Sequence, residues 1–224
     1  TVVIGEGEMD EAPMLYIGEQ VGSQQGPELD VAVDPLEGTN IVAKGLNNAM
    51  SVIAVASKGH LLHAPDMYME KLAVGPQLAG KVKLTDSMET TLTIAASVLG
   101  KSVSDLTVMV LDRPRHESLV KSLRKVGVRI KFLSDGDVAG AMAPAFPETG
   151  IDLYVGSGGA PEGVLAAAAL QCLGGELQGR LMPADGKEYQ RCVQMGLSDP
   201  YKVLKMSDMV GTGDVIFAAT GVTP

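Results

Sequence analysis

From Thr107 to Ala219 short apolar runs alternate with segments that read as helices, and this alternation limits the fold more than any other feature. Strands are expected at 107–111, 128–133, 151–155 and 215–219, and helices at 116–126, 137–146, 161–173 and 187–195. Strands joined through crossover helices build parallel sheets with helices packed on them. The expected class is α/β, with a mainly parallel sheet in the second part of the chain. The first part, to about residue 100, reads as strands and turns. One strand at 29–33 is stopped by Asp34-Pro35, and another at 50–56 ends in a turn at Lys58-Gly59. Thr1–Ile4 and Phe217–Thr220 read as strands lying against the two ends. A natural domain seldom leaves such edges unpaired, so the sequence is expected to be a piece of a longer chain at both ends.

Charge narrows the partners. Among 224 residues, 18 Lys and Arg face 27 Asp and Glu, a net charge of -9. That balance argues against nucleic-acid binding, which wants the opposite sign. No run of 18 apolar residues exists, so a transmembrane helix is excluded. Two cysteines, Cys172 and Cys192, fit a reduced, cytoplasmic setting better than a disulfide framework. With only three His, a zinc site of the Cys/His type is disfavoured, and any metal must be held mainly by carboxylates.

The charges are also segregated. Residues 1–39 carry nine acids and no Lys or Arg. Residues 113–131 carry seven of the 18 basic residues and one acid, Glu117. An acidic segment suits a metal and a basic one suits a phosphate, although solvated faces would give the same counts.

Ligands in open α/β sheets sit beyond the carboxyl ends of the strands. The expected strands run into Asp112-Arg113-Pro114-Arg115-His116, Ser134-Asp135-Gly136-Asp137 and the glycine-rich Gly156-Ser157-Gly158-Gly159-Ala160-Pro161-Glu162. Along one rim these offer guanidinium forks for phosphate, carboxylates for hydroxyls and peptide N–H groups for oxyanions. That inventory suits a phosphorylated polyol. Each residue also has an ordinary reading: Ser134 or Asp135 as a helix cap, Glu162 as a helix-dipole partner, Arg115 as surface.

Two motifs carry the acidic end. Ile4-Gly5-Glu6-Gly7-Glu8 sets a carboxylate between glycines at a strand end, and Asp34-Pro35-Leu36-Glu37-Gly38-Thr39 follows a second strand. Mg²⁺ and Mn²⁺ want oxygen ligands, and a pair of such ions needs several carboxylates.

The second motif resembles the signature of the metal-dependent, lithium-sensitive sugar phosphatases. With Asp10-Glu11-Ala12-Pro13, Ala64-Pro65-Asp66-Met67-Tyr68, Arg113-Pro114-Arg115-His116, Ser134-Asp135-Gly136-Asp137 and Gly158-Gly159-Ala160-Pro161-Glu162-Gly163, the chain resembles class II fructose-1,6-bisphosphatase over nearly its whole length. The resemblance implies a layered α/β sandwich and a cytoplasmic, homo-oligomeric enzyme. It would remove the 1-phosphate of fructose 1,6-bisphosphate, in gluconeogenesis or the Calvin cycle, and would extend to sedoheptulose 1,7-bisphosphate. It implies Glu6, Asp34, Glu37 and Glu162 as ligands of Mg²⁺ or Mn²⁺. Glu37, Gly38 and Thr39 would touch the scissile phosphate, with Thr39 orienting the attacking water. Asp34, Thr39 and Glu162 would be catalytic. Tyr68, Arg113, Arg115, Asp135, Asp137 and Gly159 would bind the sugar bisphosphate. Residues 1–100 would then be a metal-binding α+β part and residues 101–224 a substrate-binding α/β part. Family members also carry an upstream helical segment that supplies another metal-site aspartate.

Two other readings stand beside this one. Asp135-Gly136-Asp137-Val138 after a strand also fits the start of a haloacid-dehalogenase-type phosphatase, with Asp135 as the nucleophile. A non-catalytic sugar-phosphate-binding fragment is the other.

Overall fold

The computed structural model describes residues 1–7 and 12–224. Asp10 and Glu11, and Glu8 of the first acidic motif, lie outside the described residues. The strands are β1 (Val2–Ile4), β2 (Leu29–Glu37), β3 (Met50–Ser57), β4 (Tyr68–Val74), β5 (Thr107–Leu111), β6 (Arg129–Leu133), β7 (Leu153–Gly159), β8 (Glu176–Leu181) and β9 (Val215–Gly221). The helices are α1 (Thr39–Ala43), α2 (Met88–Leu99), α3 (Glu117–Val126), α4 (Asp137–Met142), α5 (Ala160–Leu173), α6 (Gly186–Gln194) and α7 (Met206–Met209).

Two sheets form the frame, one ordered β1-β2-β3-β9 and the other β6-β5-β7-β4-β8. In the second, β5 runs parallel to β6 and β7, while β4 is antiparallel to both β7 and β8. Four of its five strands therefore point the same way, and the α/β class expected from the alternation holds. The sheets exchange strands across residue 100: β4 lies inside the second sheet, and β9 completes the first against β3.

Helix α5 explains the layering. Its run from Gly163 to Leu170 is buried throughout. A helix apolar on all sides must be covered on all sides. The core around it takes Ala32, Val52 and Ala54 from the first sheet and Met69, Ala73, Tyr154 and Leu177 from the second. Val138 and Ala141 of α4 join the same core. On the other face of the second sheet, Leu72, Val108, Val110 and Leu153 meet Leu92 and Ala95 of α2 and Leu123 of α3. The order of layers is sheet, helices, sheet, helices.

Local structure departs from the sequence reading in several places. Glu176–Leu181 is a strand where none was expected, and the helix expected at 137–146 ends at Met142 and passes into a 3-10 turn at Ala143–Ala145. Three further differences bear on the site and the layers that hold it. Asp34-Pro35 does not stop β2. The strand continues to Glu37 through a bulge, where Asp34 opposes Val52 and Glu37 opposes Met50. Proline is tolerated there because a bulge interrupts the ladder. Second, residues 156–159 are not a loop. They are the C-terminal half of β7, paired with Tyr68–Lys71 of β4. Third, 88–99 is a helix, in a part read as strands and turns. Its Thr-rich sequence is a poor helix signal, but Ser87 accepts the Thr90 N–H at its start and Gly100 closes it in the left-handed conformation.

Candidate active site

The bulge in β2 aims the acidic motif. Gly38, at φ 88°, turns the chain from β2 into α1, a conformation that favours glycine. Asp34 accepts the Leu36 N–H at 3.0 Å, which holds the turn on its own carboxylate. The result is a cavity of about 270 Å³ lined by Glu6, Asp34, Glu37, Gly38, Thr39, Asp135 and Glu162, among others. Residues as far apart in sequence as Glu6 and Glu162 meet there, because β1 pairs with β2 and α5 packs between the sheets.

Three carboxylates of this cavity, those of Asp34, Glu37 and Glu162, hold protons unusually well. Burial, reinforced by the charge of Asp137, pushes Glu37 up to about 8. Burial also raises Asp34 and Glu162 above the ordinary carboxylate range. For Glu162 the nearby Lys71 opposes the rise. Glu37 Oε1 accepts the Val138 N–H at 2.8 Å, whereas buried Glu162 Oε2 has no hydrogen-bond partner. A methyl group on Gly159 would overlap that Glu162 carboxylate. Gly159 is therefore an absent side chain that gives Glu162 its place.

Around the cavity lies the rim. Arg113 pairs with Asp135 Oδ1 at 2.6 Å, and Asp135 Oδ2 accepts the Asn40 N–H at 3.2 Å. Arg115 donates to the Ser157 carbonyl at 2.7 Å and lies 4.6 Å from the centre of the exposed Tyr68 ring. Tyr68 and Arg115 do not line the acidic cavity. Arg115 instead borders a neighbouring one of about 320 Å³, with Glu70, His116 and Ser157. Asp137 is turned inward: its carboxylate is buried and paired with Lys71 at 2.6 Å. A third cavity, about 470 Å³ between Gly75–Leu78 and Pro144–Ile151, contains none of the candidate residues.

The whole chain, residues 1–224, matches the family of bacterial fructose-1,6-bisphosphatase, glpX-encoded. The chain belongs to this family. It is 47% identical over 246 residues to a D-fructose 1,6-bisphosphatase class 2/sedoheptulose 1,7-bisphosphatase of Synechococcus sp. (strain JA-3-3Ab), covering 99% of this chain and 71% of that one. It is 47% identical over 235 residues to the fructose-1,6-bisphosphatase class 2 of Haemophilus influenzae, covering 99% and 70%. The fructose-1,6-bisphosphatase 1 class 2 of Escherichia coli K12 is 45% identical over 236 residues, covering 100% and 70%.

Two residues to which the sequence assigned no role brace the candidate residues. His116 is buried; its Nε2 accepts the Ser157 N–H at 2.8 Å, so its proton sits on Nδ1, which donates to the Leu111 carbonyl at 2.8 Å. Burial lowers its pKa and favours this neutral form. His116 thus fixes the strand segment that Arg115 grips. Lys71 is the other, and its only signal was a Glu70-Lys71 pair set between apolar Met69 and Leu72.

Glu6, Asp34, Glu37 and Glu162 could hold a divalent cation. The unpartnered Glu162 oxygen and the mutual repulsion of these acids fit such a group. Among the described residues no group of three or more Asp, Glu, His or Cys side chains is placed to hold a metal ion as it stands, so these four would have to draw together around one. Mg²⁺ tolerates this, because it keeps several waters and shares its shell with substrate phosphate.

Proposed function

We propose that this chain hydrolyses the 1-phosphate of fructose 1,6-bisphosphate in a reaction that depends on Mg²⁺ or Mn²⁺, giving fructose 6-phosphate and phosphate. The observation that carries the reading is one cavity lined by five carboxylates, those of Glu6, Asp34, Glu37, Asp135 and Glu162, together with Gly38 and Thr39. The names of the relatives support the substrate, and the Synechococcus name supports sedoheptulose 1,7-bisphosphate as a second one. Gluconeogenesis or the Calvin cycle is the setting that such a reaction serves, in the cytoplasm and in a homo-oligomer. Among the described residues no helix is long and apolar enough to cross a membrane.

A bound divalent ion would supply a Lewis acid for phosphoryl oxygens and lower the pKa of an attacking water. The chain's own residues do the rest. Glu6, Asp34, Glu37 and Glu162 provide the oxygen donors. The Gly38 turn lets the backbone approach the scissile phosphate, and the Thr39 hydroxyl orients the water for in-line attack. Arg113, Arg115, Tyr68 and Gly159 receive the sugar and its distal phosphate, and Asp137 supports that rim from behind. Asp135 is a poor nucleophile because both its oxygens are engaged, one by Arg113 and one by the Asn40 N–H.

The test is phosphate release from fructose 1,6-bisphosphate by the intact protein with Mn²⁺ and after chelation with EDTA. Undiminished turnover in EDTA would remove the metal from the mechanism. Rapid-quench trapping of a phosphorylated Asp135 would replace in-line attack by water with a covalent route.

A further inference from the structure

A buried cation behind the acid cluster, Lys71, has no role in the proposed reaction. Lys71 lies in the middle of β4, with its backbone opposite Gly156 of β7 and Gly179 of β8. Its side chain is 1% exposed, and its ion-pair partner Asp137 is 5% exposed. The surrounding backbone is cut back to admit this pair. A methyl group on Gly158 would overlap the Asp137 carboxylate and lie 3.3 Å from Lys71 Nζ. One on Gly163 would lie 3.2 Å from Lys71 Cε. Gly158 therefore makes room for an ion pair behind the site, while Gly163 makes room first for Met69 Sδ, 2.8 Å from such a methyl.

Stability alone does not account for such a pair, since desolvating two charges costs about what their attraction returns. What the pair does hold is the segment that begins α4. Asp135, two residues before Asp137, binds Arg113 and the Asn40 N–H. Val138, the next residue, gives its N–H to Glu37. Tyr154, buried beside them, reaches Asp137 Oδ2 at 3.5 Å.

We infer that Lys71 is a positioning residue that acts through Asp137, fixing the segment 135–138 so that Asp135 and Glu37 are presented to substrate in one geometry. The inference rests on the function proposed above, since it assigns Lys71 a part in that site. A misplacement of about 1 Å at a distance from the chemistry can lower a rate about 100-fold. Substitution of a buried partner should therefore act on turnover even though Lys71 touches no substrate.

A double-mutant cycle on the intact protein decides it, using Lys71→Met, Asp137→Asn and both together, read as kcat/KM for fructose 1,6-bisphosphate with Mn²⁺. Each single substitution should lower kcat/KM by about 100-fold. If Lys71 acts through Asp137, the double variant falls no more than about threefold below the poorer single one, because interacting residues are non-additive. Losses that multiply, or a Lys71→Met protein within about threefold of the parent, overturn the inference. Lys71→Met strands a buried carboxylate and can fail to fold; the double variant has no unpaired charge. In that case the double variant is compared with Asp137→Asn alone, where equality supports the inference and a further loss overturns it. Asp34→Asn, assayed in parallel, reports on the proposed function itself. A fully active Asp34→Asn protein undermines that function, whereas an inactive one with multiplying losses in the cycle undermines only the role of Lys71.

Discussion

Glu37 Oε1 accepts the backbone N–H of Val138 at 2.8 Å, a bond between residues 101 positions apart that ties the end of β2 to the start of α4. The bond joins the two sheets' contributions at one point. On one side stands the acidic motif 34–39, and on the other the segment 134–138, which carries part of the proposed sugar-binding rim. Glu37 thus has one oxygen committed to the fold and another left for the cavity. Its double role explains why a buried acid is kept at a position where burial alone would favour an apolar residue.

Removing a single carboxylate from the cavity should abolish metal-dependent activity without unfolding the protein. Asp34→Asn and Glu162→Gln keep shape and volume while removing a negative oxygen donor. Metal assistance is worth several kcal/mol, so kcat should fall at least about 100-fold. Steady-state phosphate release, with circular dichroism to verify the fold, makes the comparison. Near-normal turnover by a folded Asp34→Asn protein would mean the chemistry lies elsewhere.

Metal should stabilise the protein, and more so at higher pH. Glu37 is raised from 4.5 to about 8 in the folded, metal-free chain, chiefly by burial. A raised acid binds its proton better folded than unfolded. It therefore favours the fold fully at pH below 4.5, and this contribution is lost as pH rises through the window from 4.5 to about 8. Asp34 and Glu162 shift in the same direction. The melting temperature in EDTA should decline across that window, and Glu37→Gln should flatten the decline. Saturating Mn²⁺ at 100 times its Kd adds about 2.7 kcal/mol. A melting temperature indifferent to Mn²⁺ at pH 8 would contradict the metal assignment.

Much of this site could be read from sequence because its parts are local. Asp34 to Thr39 is a single hexapeptide, and the segments after β5 and β6 announce themselves by polar residues following an apolar run. What stayed hidden depends on pairing between distant strands. Tyr68–Val74 mixes Met, Glu and Lys with apolar residues and shows no strand alternation, yet its place between β7 and β8 buries Lys71 beside Asp137. Gly158 and Gly159 looked like a phosphate-binding loop. Their lack of side chains instead admits Asp137 and Glu162, which approach from α4 and α5. Nothing within the glycine motif states which neighbour it makes room for.

The distal phosphate gives a sharper test of the rim. Arg115 is held by Ser157 and stacked on Tyr68, so its guanidinium is oriented before substrate arrives. A charge-assisted hydrogen bond is worth about 1.5–3 kcal/mol. Arg115→Ala should raise KM for fructose 1,6-bisphosphate about 10- to 100-fold with kcat nearly intact, if the contact is equal in ground and transition states. A sugar monophosphate lacking the second phosphate should show little change. Equal losses on both substrates would assign Arg115 to the fold or to the scissile phosphate.

The last expectation isolates the placement of Glu162. Gly159 has φ -63° and ψ 141°, an ordinary extended conformation, so alanine is allowed there by the backbone. Only the added methyl matters, and it would overlap the Glu162 carboxylate. The Glu162 oxygen that the methyl would meet is buried without a partner, so it must shift from its place beside the cavity when the methyl is added. Gly159→Ala should therefore weaken Mn²⁺ binding while leaving the other three carboxylates in position. Loss of one oxygen ligand at a cost of about 1.4 kcal/mol corresponds to a tenfold weaker Kd. Isothermal titration with Mn²⁺ measures that shift in the absence of substrate. Glu162→Gln serves as the reference, since both changes remove the same oxygen from the cavity by different means. An unchanged Mn²⁺ affinity in Gly159→Ala, beside a weakened one in Glu162→Gln, would show that the carboxylate tolerates the methyl. Close approach of substrate to the backbone, the part Gly159 has in the proposed sugar-binding rim, would then be its whole role.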